Sequence, residues 1–128
     1  MLFGYTIIYV PDVEAAVSFY EKAFQLKRRF VHESGTYAEM ETGSTLLAFA
    51  ADELGEMNLP EGYRKNVLSD KPAGIEIVFV SDDVAGAFTW AISAGATAVS
   101  QPETKPWGQT VAYVRDLNGV VIELASPM

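Results

Sequence analysis

Residues 5–10 (Tyr-Thr-Ile-Ile-Tyr-Val) alternate in side-chain character and are rich in β-branched and aromatic types, the pattern of a strand. Pro11 ends the run, and Asp12 is suited to cap a following helix. Val13, Ala16, Val17, Tyr20 and Phe24 then fall on one helical stripe. Residues 26–32, 36–41 and 45–50 read as three further strands, broken by turns at Ser34-Gly35 and at Gly43. The same order returns later. Residues 75–80 form a strand, Asp83 caps a helix with the stripe Val84, Ala87, Phe88 and Ala91, and Gly95 suits the position just past its end. Residues 96–100 make a short strand, and 110–115 and 120–125 form a hairpin across the Asn118-Gly119 turn signal.

The chain therefore contains one βαβββ pattern twice. Residues 5–19 and 76–90 superpose at a constant offset of 71 without a gap, so that Asp12-Val13 answers Asp83-Val84 and Phe19 answers Trp90. Residues 38–42 answer 112–116, and 43–49 answer 119–125. The expected fold is α+β, with units at 3–50 and 74–126 forming a cupped, mostly antiparallel sheet with helices outside. Residues 51–73 have no clear periodicity and read as a crossing linker, a length that often contributes to a site. Two copies of one unit commonly build a site where they meet, which directs the search for function to the sheet faces.

Composition narrows the classes. A chain of 128 residues with a net charge of -8 is a poor partner for nucleic acid, whose recognition depends on Lys and Arg at phosphates. No apolar run approaches a membrane span, and the first residues lack the basic and apolar pattern of a signal peptide. Zero cysteines exclude disulfides and thiolate chemistry and fit a reducing compartment; the expected location is the cytoplasm. There is no Gly-rich phosphate loop and no Ser-His-Asp set, and the single histidine, His32, lies on a polar strand and is expected to be exposed.

The tandem unit, the segment Tyr9-Val10-Pro11-Asp12-Val13 with Phe19-Tyr20, and the run Pro106-Trp107-Gly108-Gln109 leading into Ala112-Tyr113-Val114-Arg115-Asp116 resemble the vicinal oxygen chelate superfamily. That group includes glyoxalase I, bleomycin-resistance and fosfomycin-resistance proteins and extradiol dioxygenases. The resemblance implies a homodimer, and in the metalloenzymes of the group each repeat supplies two metal ligands. Laid onto this sequence, those positions are Tyr5 and Leu47, then Glu76 and Glu123. Leu47 cannot ligate, Tyr5 ligates only as a phenolate, and no histidine is present at any of the four. The site is thus incomplete. No cofactor is expected, and any divalent ion held by Glu76 and Glu123 would be weakly bound, completed by water, and of the magnesium or manganese kind.

Strand alternation puts Glu76 and Glu123 on a face otherwise apolar, where an unpartnered carboxylate is unusual. Each is either a rim residue paired with Arg115 or Arg64, or one of a functional pair sharing a proton. Tyr5, Glu39, Leu47, Trp107 and Tyr113 are the expected ligand-binding residues, with Ile7, Tyr9, Thr45 and Phe49 facing the same side. Phe19 and Trp90 are expected to pack. Two functions follow: a small-molecule binder of the glyoxalase-like or bleomycin-resistance kind, or a lyase or isomerase using Glu76 and Glu123 as acid and base or as metal ligands.

Overall fold

A computed structural model describes all residues, 1–128, which form two compact units, Met1–Lys65 and Asn66–Met128. The first contains β1 (Thr6–Val10), α1 (Val13–Phe24), β2 (Lys27–Val31), β3 (Tyr37–Glu41), β4 (Leu46–Ala51) and α2 (Asp52–Asn58). The second contains β5 (Glu76–Val80), α3 (Val84–Ser93), β6 (Thr97–Thr104), β7 (Thr110–Arg115) and β8 (Val121–Ala125). Each unit is a βαβββ module with a four-stranded mixed sheet, ordered β1-β4-β3-β2 and β5-β8-β7-β6. The first and last strands of each module run parallel, and the other pairings are antiparallel. The α+β class and the internal repeat are as the sequence predicts.

Both long helices start where the caps place them. Asp12 accepts a hydrogen bond from the Ala15 amide (3.0 Å), and Asp83 accepts one from Gly86 (2.9 Å). Below α1, Val13, Ala16, Val17, Phe19, Tyr20 and Ala23 are buried, and the Tyr20 ring meets Phe49 of β4 at 4.8 Å. In α3 only Val84 and Ala91 are buried. The helix-covered face of the first sheet carries Ile8, Met40, Leu47 and Phe49; that of the second carries Val114, Ile122 and Leu124.

Three expectations need correction. The segment expected as linker contains α2, whose Tyr63 anchor donates its hydroxyl to the Asp52 carboxylate at 2.7 Å. Gly55 is required there, because a Cβ would stand 2.6 Å from the Tyr63 hydroxyl. The short strand expected at 96–100 extends as β6 to Thr104 through two register shifts.

The third correction concerns the repeat itself. Thr6 pairs with Leu47 and Ile77 with Ile122, while Glu39 pairs with Ala48 and Tyr113 with Glu123. Glu123 therefore corresponds to Ala48, not Leu47. Gly43 lies three positions before the first residue of its strand and Gly119 only two, so matching the glycines slides the alignment by one. A one-residue slip in a strand moves every side chain to the other face. Leu47 and Phe49 accordingly lie on the buried, helix-covered side, and neither belongs to the open face.

Candidate functional site

In the second unit, the face turned away from α3 begins with Glu76 on β5, Glu123 on β8 and Tyr113 on β7. The antiparallel register sets Tyr113 directly opposite Glu123, and the Tyr113 hydroxyl donates to Glu123 Oε1 at 2.6 Å. Glu76 stands beside Glu123. Partial burial, the chance to share a proton with Glu123 and the neighbouring negative charge, in that order, raise the proton affinity of Glu76 above the ordinary carboxyl range. Hydrogen bonding to Glu123 and burial push the Tyr113 phenol up to about 12, so it stays a neutral donor at physiological pH.

No cation neutralises the pair. Arg115, the expected partner, donates instead to the carbonyls of Gly119 (2.9 Å), Leu68 (3.0 Å) and Asp70 (2.7 Å). That clasp holds residues 68–70 against the β7–β8 turn and leaves no room for a side chain at Gly119, where a Cβ would lie 2.9 Å from the Leu68 Cα. Beside the pair, Val78 and Val80 are exposed, so this face is not the covered apolar surface that alternation suggests.

The matching positions of the first unit are Tyr5, Glu39 and Ala48, on the face turned away from α1. Glu39 accepts the Tyr37 hydroxyl at 2.8 Å and pairs with Arg29 Nε at 3.5 Å. Burial, then the bond to Glu39, raises the Tyr37 phenol well above its usual range. The same face carries Ile7 and Tyr9. The Tyr9 ring lies 5.3 Å from that of Tyr63, and its hydroxyl accepts from Asn58.

Trp107 projects from the turn between β6 and β7 and is 64% exposed. It is nevertheless held: its indole N–H donates to Gln109 Oε1 (3.0 Å), and the Gln109 amide donates to the Ser126 carbonyl (3.1 Å). Of the expected site residues, the structure brings Glu76, Tyr113 and Glu123 into contact, places Tyr5 and Glu39 together in the first unit, leaves Trp107 on an exposed turn, and removes Leu47 to the core. Tyr37, Arg29 and Gln109 join these groups and were missed. Tyr37 and Arg29 were legible only with the β2–β3 register in hand; Gln109 was inside the quoted motif. His32 is exposed, with Nδ1 against the Ser34 hydroxyl at 2.7 Å.

The donor set does not suit a resident divalent metal. Ala48 stands where a fourth ligand would be needed and Tyr5 offers only a phenol, which leaves two carboxylates. No three His, Cys, Asp or Glu side chains converge anywhere in the chain.

Two sheets, each closed by a first strand running parallel to its last and backed by one helix, with polar side chains on the opposite face, define the vicinal oxygen chelate class. The chain belongs to the glyoxalase-like domain family, whose model matches residues 3–128. Among solved structures it is similar to a glyoxalase/bleomycin resistance protein/dioxygenase family enzyme from Burkholderia phytofirmans (22% identity, 98% of each chain, TM-score 0.83). It is also similar to a glyoxalase-related enzyme from Fulvimarina pelagi (17% identity, 99% of this chain and 89% of that one, TM-score 0.83). TioX from Micromonospora shares 20% identity over 99% of this chain and 100% of its own, with a TM-score of 0.73. At these identities the likeness is one of fold. No curated protein matches the chain in sequence.

Proposed function

We propose that this protein binds a small molecule on its open sheet faces, with Glu76, Glu123 and Tyr113 as the polar centre and Trp107 as an aromatic wall. The observation that carries the reading is the Glu76–Glu123–Tyr113 group, two adjacent carboxylates, one of them hydrogen-bonded to the tyrosine, with no neutralising cation. Such a group suits a ligand that donates hydrogen bonds or carries positive charge. The reading includes a homodimer in a reducing cytoplasm, supported by exposed Ile75, Val78, Val80 and Val99 in the second unit and by the absence of cysteine. It includes no metal step, because the donor set does not support one.

A second reading, lyase or isomerase, is favoured by one feature: the raised proton affinity of Glu76 beside Glu123. A carboxyl that keeps its proton next to one that accepts is what a proton transfer on a bound substrate needs. Two of the similar structures are described as enzymes, which agrees with it.

A thermal-shift screen of amines, polyols and carbonyl compounds, repeated on Glu76→Gln and Glu123→Gln, separates the readings. Gln keeps the shape but cannot take up a proton. A binder loses affinity for its hits in both variants, whereas an enzyme keeps binding and loses turnover. Trp107→Ala should weaken the hits about tenfold or more with little change in melting temperature, since the indole is mostly in solvent. A large fall in stability would place Trp107 in the core and remove it from the site.

A further inference from the structure

Arg28 and Arg29 are neighbours in sequence and are used differently. The Arg28 guanidinium is filled on two sides: Nε and Nη2 bond Glu21 at 3.0 and 2.9 Å, and Nη1 and Nη2 bond Glu14 at 3.2 and 2.8 Å. Between Arg28 and Phe30 the β2–β3 register shifts, and bulges of this kind re-aim side chains, often beside sites. Arg28 stays across from Met40, on the α1 side, while Phe30 comes across from Glu39 on the open side. Arg29, inside the bulge, reaches Glu39 as well, its Nε standing 3.5 Å from Oε1.

Glu39 is a firm anchor, its side chain only 15% exposed and its second oxygen held by Tyr37. The Arg29 side chain is 53% exposed, and its terminal nitrogens make no hydrogen bond within the chain. Around it stand three rings. Phe30 and Tyr37 lie 6.1 Å apart, Tyr5 is close enough to Tyr37 to raise its proton affinity, and Tyr5 and Phe30 are both exposed. A guanidinium paired with Glu39 on its Nε side offers its terminal edge as a fork matched to a carboxylate, and exposed rings near it offer a face to a planar group.

We propose that the open face of the first unit binds an aromatic carboxylate, its carboxylate taken by the Arg29 terminal nitrogens and its ring laid on Tyr5, Phe30 and Tyr37. Glu39 is the positioning residue. A second carboxylate near Glu39 is not an obstacle, because Arg28 already shows one guanidinium in this chain holding two. The overall charge of -8 acts mainly beyond the screening length of about 8–10 Å and does not decide a contact at hydrogen-bond distance. The inference rests on the reading that these sheet faces bind small molecules, and gives the first unit a ligand class opposite in charge to that of the second.

The test titrates 2-naphthoate, its neutral amide and 2-naphthylmethylammonium into the full-length protein, followed by NMR. Naphthoate should bind and perturb the Tyr5, Phe30 and Tyr37 ring signals. Arg29→Gln should weaken it roughly tenfold or more, Glu39→Gln should weaken it several-fold by loosening the guanidinium, and neither Glu76→Gln nor Glu123→Gln should matter. The amide should bind no better than naphthoate does to Arg29→Gln. Unchanged affinity in Arg29→Gln, tighter binding of the ammonium probe than of naphthoate as read at the Tyr5, Phe30 and Tyr37 signals, or no naphthoate binding at millimolar concentration overturns the proposal. Naphthoate binding lost in Glu76→Gln but kept in Arg29→Gln overturns it too while leaving the broader reading intact. Failure of all three probes and of the thermal-shift screen removes both.

Discussion

At position 19 the first unit has a phenylalanine that is 7% exposed; at the matching position 90 the second has a tryptophan that is 52% exposed. The next pair is Tyr20 and Ala91, both buried. In the first unit the two aromatics join Phe24 and Phe49 in one ring cluster under the helix. In the second only Val84 and Ala91 of the helix are buried, and Ile75, Val78, Val80 and Val99 are exposed. The open faces differ in parallel. In the first, Glu39 is paired with an arginine; in the second, Glu76 and Glu123 stand side by side and a tyrosine bonds Glu123. One backbone plan thus carries a well-filled core with a neutralised polar group, and a thinner core with an acidic pair. The acidic pair needs no fold-level device beyond glutamates at positions 76 and 123, where the first unit has Tyr5 and Ala48.

The largest test of this contrast is in the cores. Phe19→Ala should cost about 3–5 kcal/mol, the range for a buried aromatic, by chemical denaturation. Trp90→Ala removes a larger side chain yet should cost only about 1–2 kcal/mol, since half of it already meets water. Equal losses would mean that the second unit is as tightly filled as the first.

A second test addresses the register. Leu47→Asn should destabilise by about 3 kcal/mol or more, because it puts an unpartnered amide under α1. If Leu47 faced the open side, as matching the two glycines suggests, the substitution would be tolerated.

That residue also marks how far the sequence could be read. The strands, both capped helices and the repeat were legible, because alternation, Asp caps and turn residues are local signals. So were Glu76, Glu123 and Tyr113, since alternation within one strand and its hairpin partner fixes their common face. What local signals do not carry is register across a turn of uncertain length. The turn before β4 is one residue shorter than that before β8, and nothing in Thr42-Gly43-Ser44-Thr45 announces it. The β2 bulge, which brings Arg29 to Glu39, is hidden for the same reason, and so is Tyr63, whose partners lie across α2.

The acidic pair gives a pH signature that the first unit should lack. Glu76 binds its proton more tightly folded than unfolded, so its contribution to stability is full below the ordinary glutamate range. It is lost as pH rises through the raised value. Melting temperature followed from about pH 4 to 7 should show this fall, and Glu123→Gln should shrink it by removing the neighbouring charge while burial still acts. Glu39→Gln should leave it in place. A profile identical in wild type and Glu123→Gln would show that the two carboxylates do not share a proton.

The smallest effect belongs to the most conspicuous ion pairs. Arg28 makes four short contacts to Glu14 and Glu21, but the side chains are between 34% and 58% exposed, and solvent-screened pairs contribute little. Arg28→Ala should therefore cost no more than about 1 kcal/mol, less at high salt. Its pH dependence has the opposite sign to that of Glu76. Hydrogen bonding to Arg28 lowers the Glu21 carboxyl below its ordinary range, so the stabilisation is present above the unfolded value and fades as pH falls through the folded one. Between about pH 5 and 3, wild type and Arg28→Ala should converge in melting temperature. A gap that persists at low pH would show that Arg28 stabilises the first unit through the packing of its aliphatic stem on α1 rather than through its charge.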